Sequence, residues 1–193
     1  AYKHWSNVWG VEHSWMKSRF KDEKIMGKKG FTVARWYEGV LMDPKELGQD
    51  VNVHAAFYWG HSCNSQSQMD RIKTALDKVE LLVDIDPFVT TTSILPDRKD
   101  GVYILPAATV YEQSGSVTNS NRDIQWRNQI VKPAWESRKD LDIILDLADR
   151  LGFGNEFKKN RNGAWKELPE DITREWNLGM RTIGMTGQTV ERM

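Results

Sequence analysis

The feature that most limits how this chain can fold is a change of hydrophobic period between residues 52 and 88. NVHAAFYW (52–59) reads as a continuous apolar run of strand length, as expected for a strand covered on both faces, and Gly60 ends it. In SQSQMDRIKTALDKV the apolar residues Met69, Ile72, Leu76 and Val79 recur every three or four positions and share one face of a helix. LLVDIDPF then reads as a second buried strand, stopped by Pro87. A strand, a helix and a strand in that order form a βαβ unit, the building block of a parallel sheet. GVYILP (101–106) supplies a third short strand after the charged loop PDRKDG.

Around this nucleus the chain divides into three expected parts: a flanking segment at 1–50, an α/β domain at 51–155 and a second flanking segment at 156–193. Residues 1–50 are aromatic and basic, with Trp5, Trp9, Trp15 and Trp36, and SNVWGVEHSWMKSRF and RWYEGVLMDPKELGQ have helical spacing. Residues 107–135 are polar and read as one irregular loop, too long to be mere connection in a compact domain. SRKDLDIILDLADRLG is an amphipathic helix with Leu141, Ile144, Leu145, Ala148 and Leu151 on one face and Gly152 placed to stop it. One further helix is expected near PEDITREWNLG. Nine tryptophans are many for the core on offer, so the ends are expected to pack against protein outside this sequence.

Composition removes several classes of function. The 27 Lys and Arg balance the 27 Asp and Glu, so no long-range field favours nucleic acid or an acidic membrane surface. A single cysteine makes no intrachain disulfide and, with no second Cys near it, no structural zinc or iron–sulfur site. No apolar stretch approaches the roughly 20 residues that span a bilayer, and AYKHWSNVWG lacks the order of a signal peptide, so direct membrane insertion is not expected.

The turn WGHSCNSQ (59–66) concentrates the chemistry-bearing side chains. As a nucleophile elbow it would place Ser62 between strand and helix. Asn64 then stands where that turn needs Gly, and all four histidines (His4, His13, His54, His61) precede the serine. Cys63 as a nucleophile has only His61 nearby, and a lone cysteine beside a buried strand is more often a small apolar filler. His61 and Cys63 are two metal ligands where zinc takes four. The remaining reading is a cradle: a turn leaving the carboxyl end of a parallel strand exposes backbone N–H groups, and Ser62, Asn64 and Ser65 extend that donor set. At the end of the next strand, Asp86 with Thr90, Thr91 and Thr92 either meets a ribose or serves only as turn and helix cap. Neither G-x-G-x-x-G nor G-x-x-x-x-G-K-[ST] occurs. The residues alone therefore point to an α/β nucleotide-binding domain with an unusual ligand.

In order along the chain, YWGHSCNSQ, LLVDIDPFVTTT, YILPAAT, YEQSGSVTNSNRDIQW and DLDIILDLADRLGF resemble the molybdopterin guanine dinucleotide oxidoreductases, and among them the large (alpha) subunit of formate dehydrogenases. The resemblance implies a three-layer, parallel-sheet, Rossmann-like cofactor-binding domain with helical, aromatic-rich flanks, lying inside a much longer polypeptide. It implies a molybdopterin guanine dinucleotide carrying Mo or W, with a 4Fe–4S cluster elsewhere in the full-length protein. It implies formate oxidation to CO2 with release of two electrons; nitrate, arsenite or polysulfide are the substrates of similar enzymes. A non-catalytic interaction module is the reading from another class. The implied partners are the remaining domains of the same subunit and an iron–sulfur electron-transfer subunit, in cytoplasm or, after twin-arginine export, periplasm. Gly60, His61, Ser62, Asn64 and Ser65 would meet phosphates and ribose, and Asp86, Thr90 and Thr92 ribose or guanine. Glu112, Gly115, Thr118, Asn119 and Arg122 would cover the cofactor. Similar proteins often read Gly-x-Asn-Pro where this one has Gly60-His61-Ser62-Cys63. No catalytic residue and no metal ligand of the family's pattern falls in this chain.

Overall fold

A computed structural model describes residues 6, 12–19, 30–121, 123–152, 154–155, 169–180 and 187–193. Its elements in chain order are α1 (His13–Arg19), α2 (Glu38–Leu41), β1 (Ala55–Trp59), α3 (Met69–Lys78), β2 (Leu81–Asp86), α4 (Thr91–Ile94), β3 (Tyr103–Pro106), β4 (Gly115–Thr118), β5 (Ile124–Arg127), α5 (Asp140–Arg150) and α6 (Pro169–Met180). Short 3-10 turns lie at Cys63–Ser65 and Val190–Arg192. The chain divides into two compact units. One takes in residues 29–108 and 135–137, the other the described residues of 1–28, 109–134 and 138–193.

In the first unit β1, β2 and β3 form one parallel sheet in chain order, so the architecture is the mixed α/β fold expected from the βαβ pattern. Register runs from Ala55 opposite Leu81 to Trp59 opposite Ile85, and from Val83 opposite Tyr103 to Asp86 opposite Pro106. Because the strand order advances in one direction, right-handed crossovers put both connections on the same face of the sheet. That face carries the core: Ala56, Tyr58 and Leu82 pack with Ile72, Ala75, Leu76 and Val79 of the α3 region and with Tyr37 and Cys63. The expectation that the first strand is covered on both faces is corrected. β1 alternates, with Ala56 and Tyr58 buried and Phe57 47% exposed, and Tyr103 and Leu105 share the open face. Only the central strand, β2, is buried through both faces, at Leu82, Val83, Asp84 and Ile85.

Side chains staple the connections to this sheet. Arg98 donates to the carbonyls of Leu76 (2.6 Å) and Val79 at the end of α3, to Glu80 (3.1 Å) and to Gly101 (2.8 Å), satisfying groups that a helix end leaves open. Asp77 accepts from the Asp97 N–H (2.7 Å) and from Lys73 (2.8 Å), pinning the same loop. Asn52 donates to the carbonyls of Gly39 (3.1 Å) and Met42 (2.8 Å), and the Val53 N–H to Gly39 (2.8 Å). Those bonds draw residues 30–50 into this unit, so the division expected at residue 50 falls inside it. Gly39 is required for space: a Cβ there would stand 2.6 Å from the Phe31 ring.

In the second unit, β4 and β5 pair antiparallel from Gly115 opposite Arg127 to Thr118 opposite Ile124. The expectation of an irregular loop over 107–135 is therefore corrected: its middle is a hairpin, with strands of four residues too short to show a convincing alternation. α5 begins where Gln113 accepts from the Asp140 N–H (3.1 Å) and donates to its carboxylate (2.7 Å). Leu145 and Ala148 are buried, but Leu151 is 62% exposed, so the apolar face ends one turn earlier than its spacing implied; Gly152, at φ +85°, closes the helix. α6 opens on Pro169, a residue pre-shaped for a first helical turn, within the stretch expected to be helical. Of SNVWGVEHSWMKSRF, the described helix is α1; Ser6 and Glu12 are also described, while Asn7–Val11 and Phe20 lie outside the described residues. Among the described residues, no helix is long and apolar enough to cross a membrane.

Leu76 is fully buried, so Leu76→Ala should destabilise the parallel-sheet unit by about 2–5 kcal/mol, against less than about 0.5 kcal/mol for Leu151→Ala. Urea denaturation of both variants measures the contrast.

Candidate functional site

The carboxyl ends of β1 and β2 bring the first group of expected residues to one edge. The Gly60 N–H bonds the carbonyl of Ile85 at 2.9 Å, which sets the turn after β1 beside the end of β2. Gly60 has φ +58°, and a Cβ there would meet nothing within 4 Å. Glycine is thus needed for the backbone conformation, not for room. His61, Asn64 and Ser65 are exposed, whereas Cys63 is fully buried and its N–H bonds Thr92 Oγ1 at 3.0 Å. Burial pushes the Cys63 thiol up from its ordinary pKa, so it serves as the small core residue expected rather than as a nucleophile.

Asp84, which the sequence left in the middle of an apolar strand, is the anchor of this edge. It is fully buried, and one oxygen, Oδ2, accepts from Thr90 Oγ1 at 2.6 Å and from the Ser93 hydroxyl. Thr90 Oγ1 also accepts from the Thr92 N–H (3.2 Å), capping α4. Thr92 is fully buried, so its expected contact with a ligand is corrected: its hydroxyl holds the turn after β1 instead. Asp86 Oδ1 accepts from the Phe88 N–H (3.1 Å), the turn-forming role held open above, which uses one of its two carboxylate oxygens. Among the described residues, two buried polar atoms, Ser62 Oγ and Asp84 Oδ1, have no hydrogen-bond partner. Such atoms are rare in folded proteins and mark places where a further polar group is accommodated.

Behind the turn lies a cluster that the sequence reading missed. His61 stacks on Tyr58 (centroids 6.2 Å, 10° between planes), and Tyr58 meets Trp36 edge to face (5.9 Å, 77°). Gln66 sits among them, 3.0 Å from Trp36 Nε1, 3.4 Å from the Tyr58 hydroxyl and 3.2 Å from His61 Nε2. Burial drives the Tyr58 pKa up to about 12, so its hydroxyl stays protonated. Trp36 is 30 residues from Gln66 in sequence, and no local pattern connects them.

The second group of expected residues belongs to the other unit. Both oxygens of Glu112 are used by backbone, accepting from Thr109 N–H (2.7 Å) and Ala134 N–H (2.9 Å), so this buried side chain ties the two ends of the hairpin region. Asn119 Oδ1 accepts from Asn121 N–H (2.9 Å) and Asp123 N–H (3.3 Å) and shapes the hairpin turn. Thr118 is exposed at the end of β4, and Gly115 lines a groove of about 440 Å³ shared with Arg127, Asp140 and Ile144. Arg122 lies outside the described residues. Among the described residues, no three His, Cys, Asp or Glu side chains gather closely enough to hold a metal ion.

The first unit thus gathers a glycine turn and small donors at the carboxyl edge of parallel strands. The family model for molybdopterin oxidoreductases matches residues 37–150, more than half of the chain. The chain belongs to the molybdopterin oxidoreductase family, and membership implies a molybdopterin cofactor carrying Mo or W. It is similar to the F420-dependent formate dehydrogenase subunit alpha of Methanocaldococcus jannaschii, 35% identical over 50% of this chain and 14% of the relative. A putative formate dehydrogenase of Staphylococcus aureus is 28% identical over 77% of this chain and 14% of its own length. Among solved structures, acetylene hydratase from Pelobacter acetylenicus shares the fold, with a TM-score of 0.51 and 23% identity over 73% of this chain and 18% of that one. The chain thus spans a small part of the curated relatives it matches.

Two outcomes test the local geometry. Gly60→Ala should cost about 1–2 kcal/mol through the left-handed backbone alone, read by urea denaturation. For Glu112, the Thr109 N–H is the main cause that lowers the carboxyl pKa, burial opposing it and the Ala134 N–H adding to it. A folded pKa below the unfolded value stabilises above the ordinary glutamate value of about 4.3, and that contribution is lost as pH falls through the lowered value. Glu112→Gln should therefore lower the Tm near neutral pH, and the difference from the parent should close as pH falls below about 4.

Proposed function

We propose that this chain is the segment of a molybdenum or tungsten formate dehydrogenase large subunit that holds the guanosine and pyrophosphate of one molybdopterin guanine dinucleotide. The observation that carries this reading is the Gly60–Ser65 turn: a left-handed glycine at the carboxyl edge of a parallel sheet, its N–H bonded to Ile85 of β2, followed by exposed His61, Asn64 and Ser65. Open space around Gly60 lets a phosphate approach the backbone, and Asn64 and Ser65 offer neutral donors to it. The unpartnered Ser62 Oγ adds a hydroxyl in the same turn. Asp86, with one carboxylate oxygen turned to Phe88, has the other to accept from ribose hydroxyls or guanine. Thr90 and Thr92 act through position, by fixing the turn that carries these donors.

The relatives named formate dehydrogenase support the choice of formate as substrate. Bound here, the cofactor supplies two-electron redox chemistry; the residues of this chain bind it, orient it and set the polarity around its nucleotide end. The 4Fe–4S cluster, the residues at the metal and an iron–sulfur partner subunit belong, in this reading, to polypeptide outside this chain.

Titrating GDP to millimolar concentration into the 15N-labelled chain should shift the amides of residues 60–65 and 86 while leaving those of β3 in place. Unmoved amides in that stretch would count against the reading. In a full-length enzyme, Asp86→Ala should reduce molybdopterin content without lowering the Tm of the apoprotein by more than a few degrees; normal pterin and metal content would reject the role given to Asp86.

A further inference from the structure

We propose that Gln66 is a positioning residue that holds His61 as its Nδ1–H tautomer and thereby decides which nitrogen the turn offers as a donor. Trp36 Nε1 donates and never accepts, so the atom of Gln66 that lies 3.0 Å from it is the carboxamide oxygen. The reversed amide would set N–H against N–H. With the oxygen committed to Trp36, the NH2 group faces Tyr58 Oη at 3.4 Å and His61 Nε2 at 3.2 Å. A nitrogen that receives an N–H carries a lone pair, so the proton of the neutral imidazole sits on Nδ1. This is the reverse of the Nε2–H form that free histidine favours.

The neighbours keep this arrangement in register. Stacking on Tyr58 fixes the plane of the His61 ring, and the edge contact with Trp36 fixes Tyr58. Ser65 Oγ stands 3.5 Å from the same His61 nitrogen, but its hydroxyl donates to the Ser62 carbonyl at 3.1 Å. Protonation at Nε2 would gain that longer contact and set two N–H groups against each other at 3.2 Å. The shorter contact decides. Two features of the sequence that serve no purpose in the core, the exposed His61 beside a turn and the glutamine five residues on, are thus one device. What the Nδ1–H meets rests on the nucleotide reading above: a phosphate or ribose oxygen at the carboxyl edge, to which a neutral imidazole donates.

The test is 15N NMR of the full chain labelled in histidine, above the ordinary imidazole titration range, at about pH 8. The His61 signals are identified by their loss in His61→Phe. The expected spectrum shows Nε2 as the unprotonated nitrogen and Nδ1 as the protonated one. In Gln66→Glu, whose carboxylate accepts on both sides, the pattern should reverse to Nε2–H. In Trp36→Phe, which removes the donor that orients the amide, the two forms should mix. A His61 that is Nε2–H in the parent, or one whose tautomer is the same in the parent and in Gln66→Glu, overturns the proposal. The parent spectrum decides even where a variant does not fold. GDP binding separates this from the nucleotide reading: about tenfold weaker binding in Gln66→Glu supports both. Unchanged GDP binding with the tautomer reversed leaves the lock intact and removes the nucleotide as the group it serves.

Discussion

A carboxylate in the centre of a parallel sheet is costly to bury, and in this chain that cost is offset by hydroxyl donors that at the same time position the site. Asp84 draws the hydroxyls of Thr90 and Ser93 onto one of its oxygens. Thr90 caps α4, and Thr92, its neighbour in that helix, receives the N–H of Cys63. One buried acid therefore connects β2, α4 and the turn after β1. It works beside the apolar core, which takes in Cys63 of the turn, and beside the Gly60 N–H bond to Ile85, which also ties the turn to β2.

Acids do structural work twice in this protein, once in each unit. Glu112 closes the hairpin region by accepting two backbone N–H groups from residues 25 positions apart, as Asp84 closes the carboxyl edge with side-chain hydroxyls. In both cases a charge-assisted bond replaces an apolar contact where the loops have few apolar side chains to bury. Exposed polar side chains near these anchors include His61, Asn64, Ser65 and Thr118. The anchors hold these loops through Asp84 Oδ2 and both oxygens of Glu112, while Asp84 Oδ1 has no partner among the described residues.

Membership of the molybdopterin oxidoreductase family agrees with this division of labour. The chain represents 14% of the relatives it matches, and the reactive metal is held by polypeptide elsewhere in the proposed enzyme. In the function proposed above, the part of this segment is orientation. In that setting the His61–Gln66 pairing has a simple logic: a donor on a loop is useful only when its proton is on the nitrogen that faces the partner, and the indole of Trp36 settles the question at a distance.

Reading along the chain was enough to find β1, α3, β2 and β3, because strand and helix periods are set by neighbours within a few positions, and enough to end β1 at Gly60. It was enough also to see that Asp86 and the threonines after it had a structural alternative. Folding decided the rest. That Phe57 faces outward follows from strand order, which no window of residues contains. The hairpin at 115–127 was hidden because four-residue strands carry too few side chains to alternate visibly. Asp84 looked like one more strand residue until Thr90 and Ser93 were seen to turn back onto it. Trp36 was assigned to a flank, yet it orients an amide 30 residues away. Periodicity is a local property of the polymer, while hydrogen-bond partners and exposed faces exist only once the strands have been ordered and the connections folded over one side.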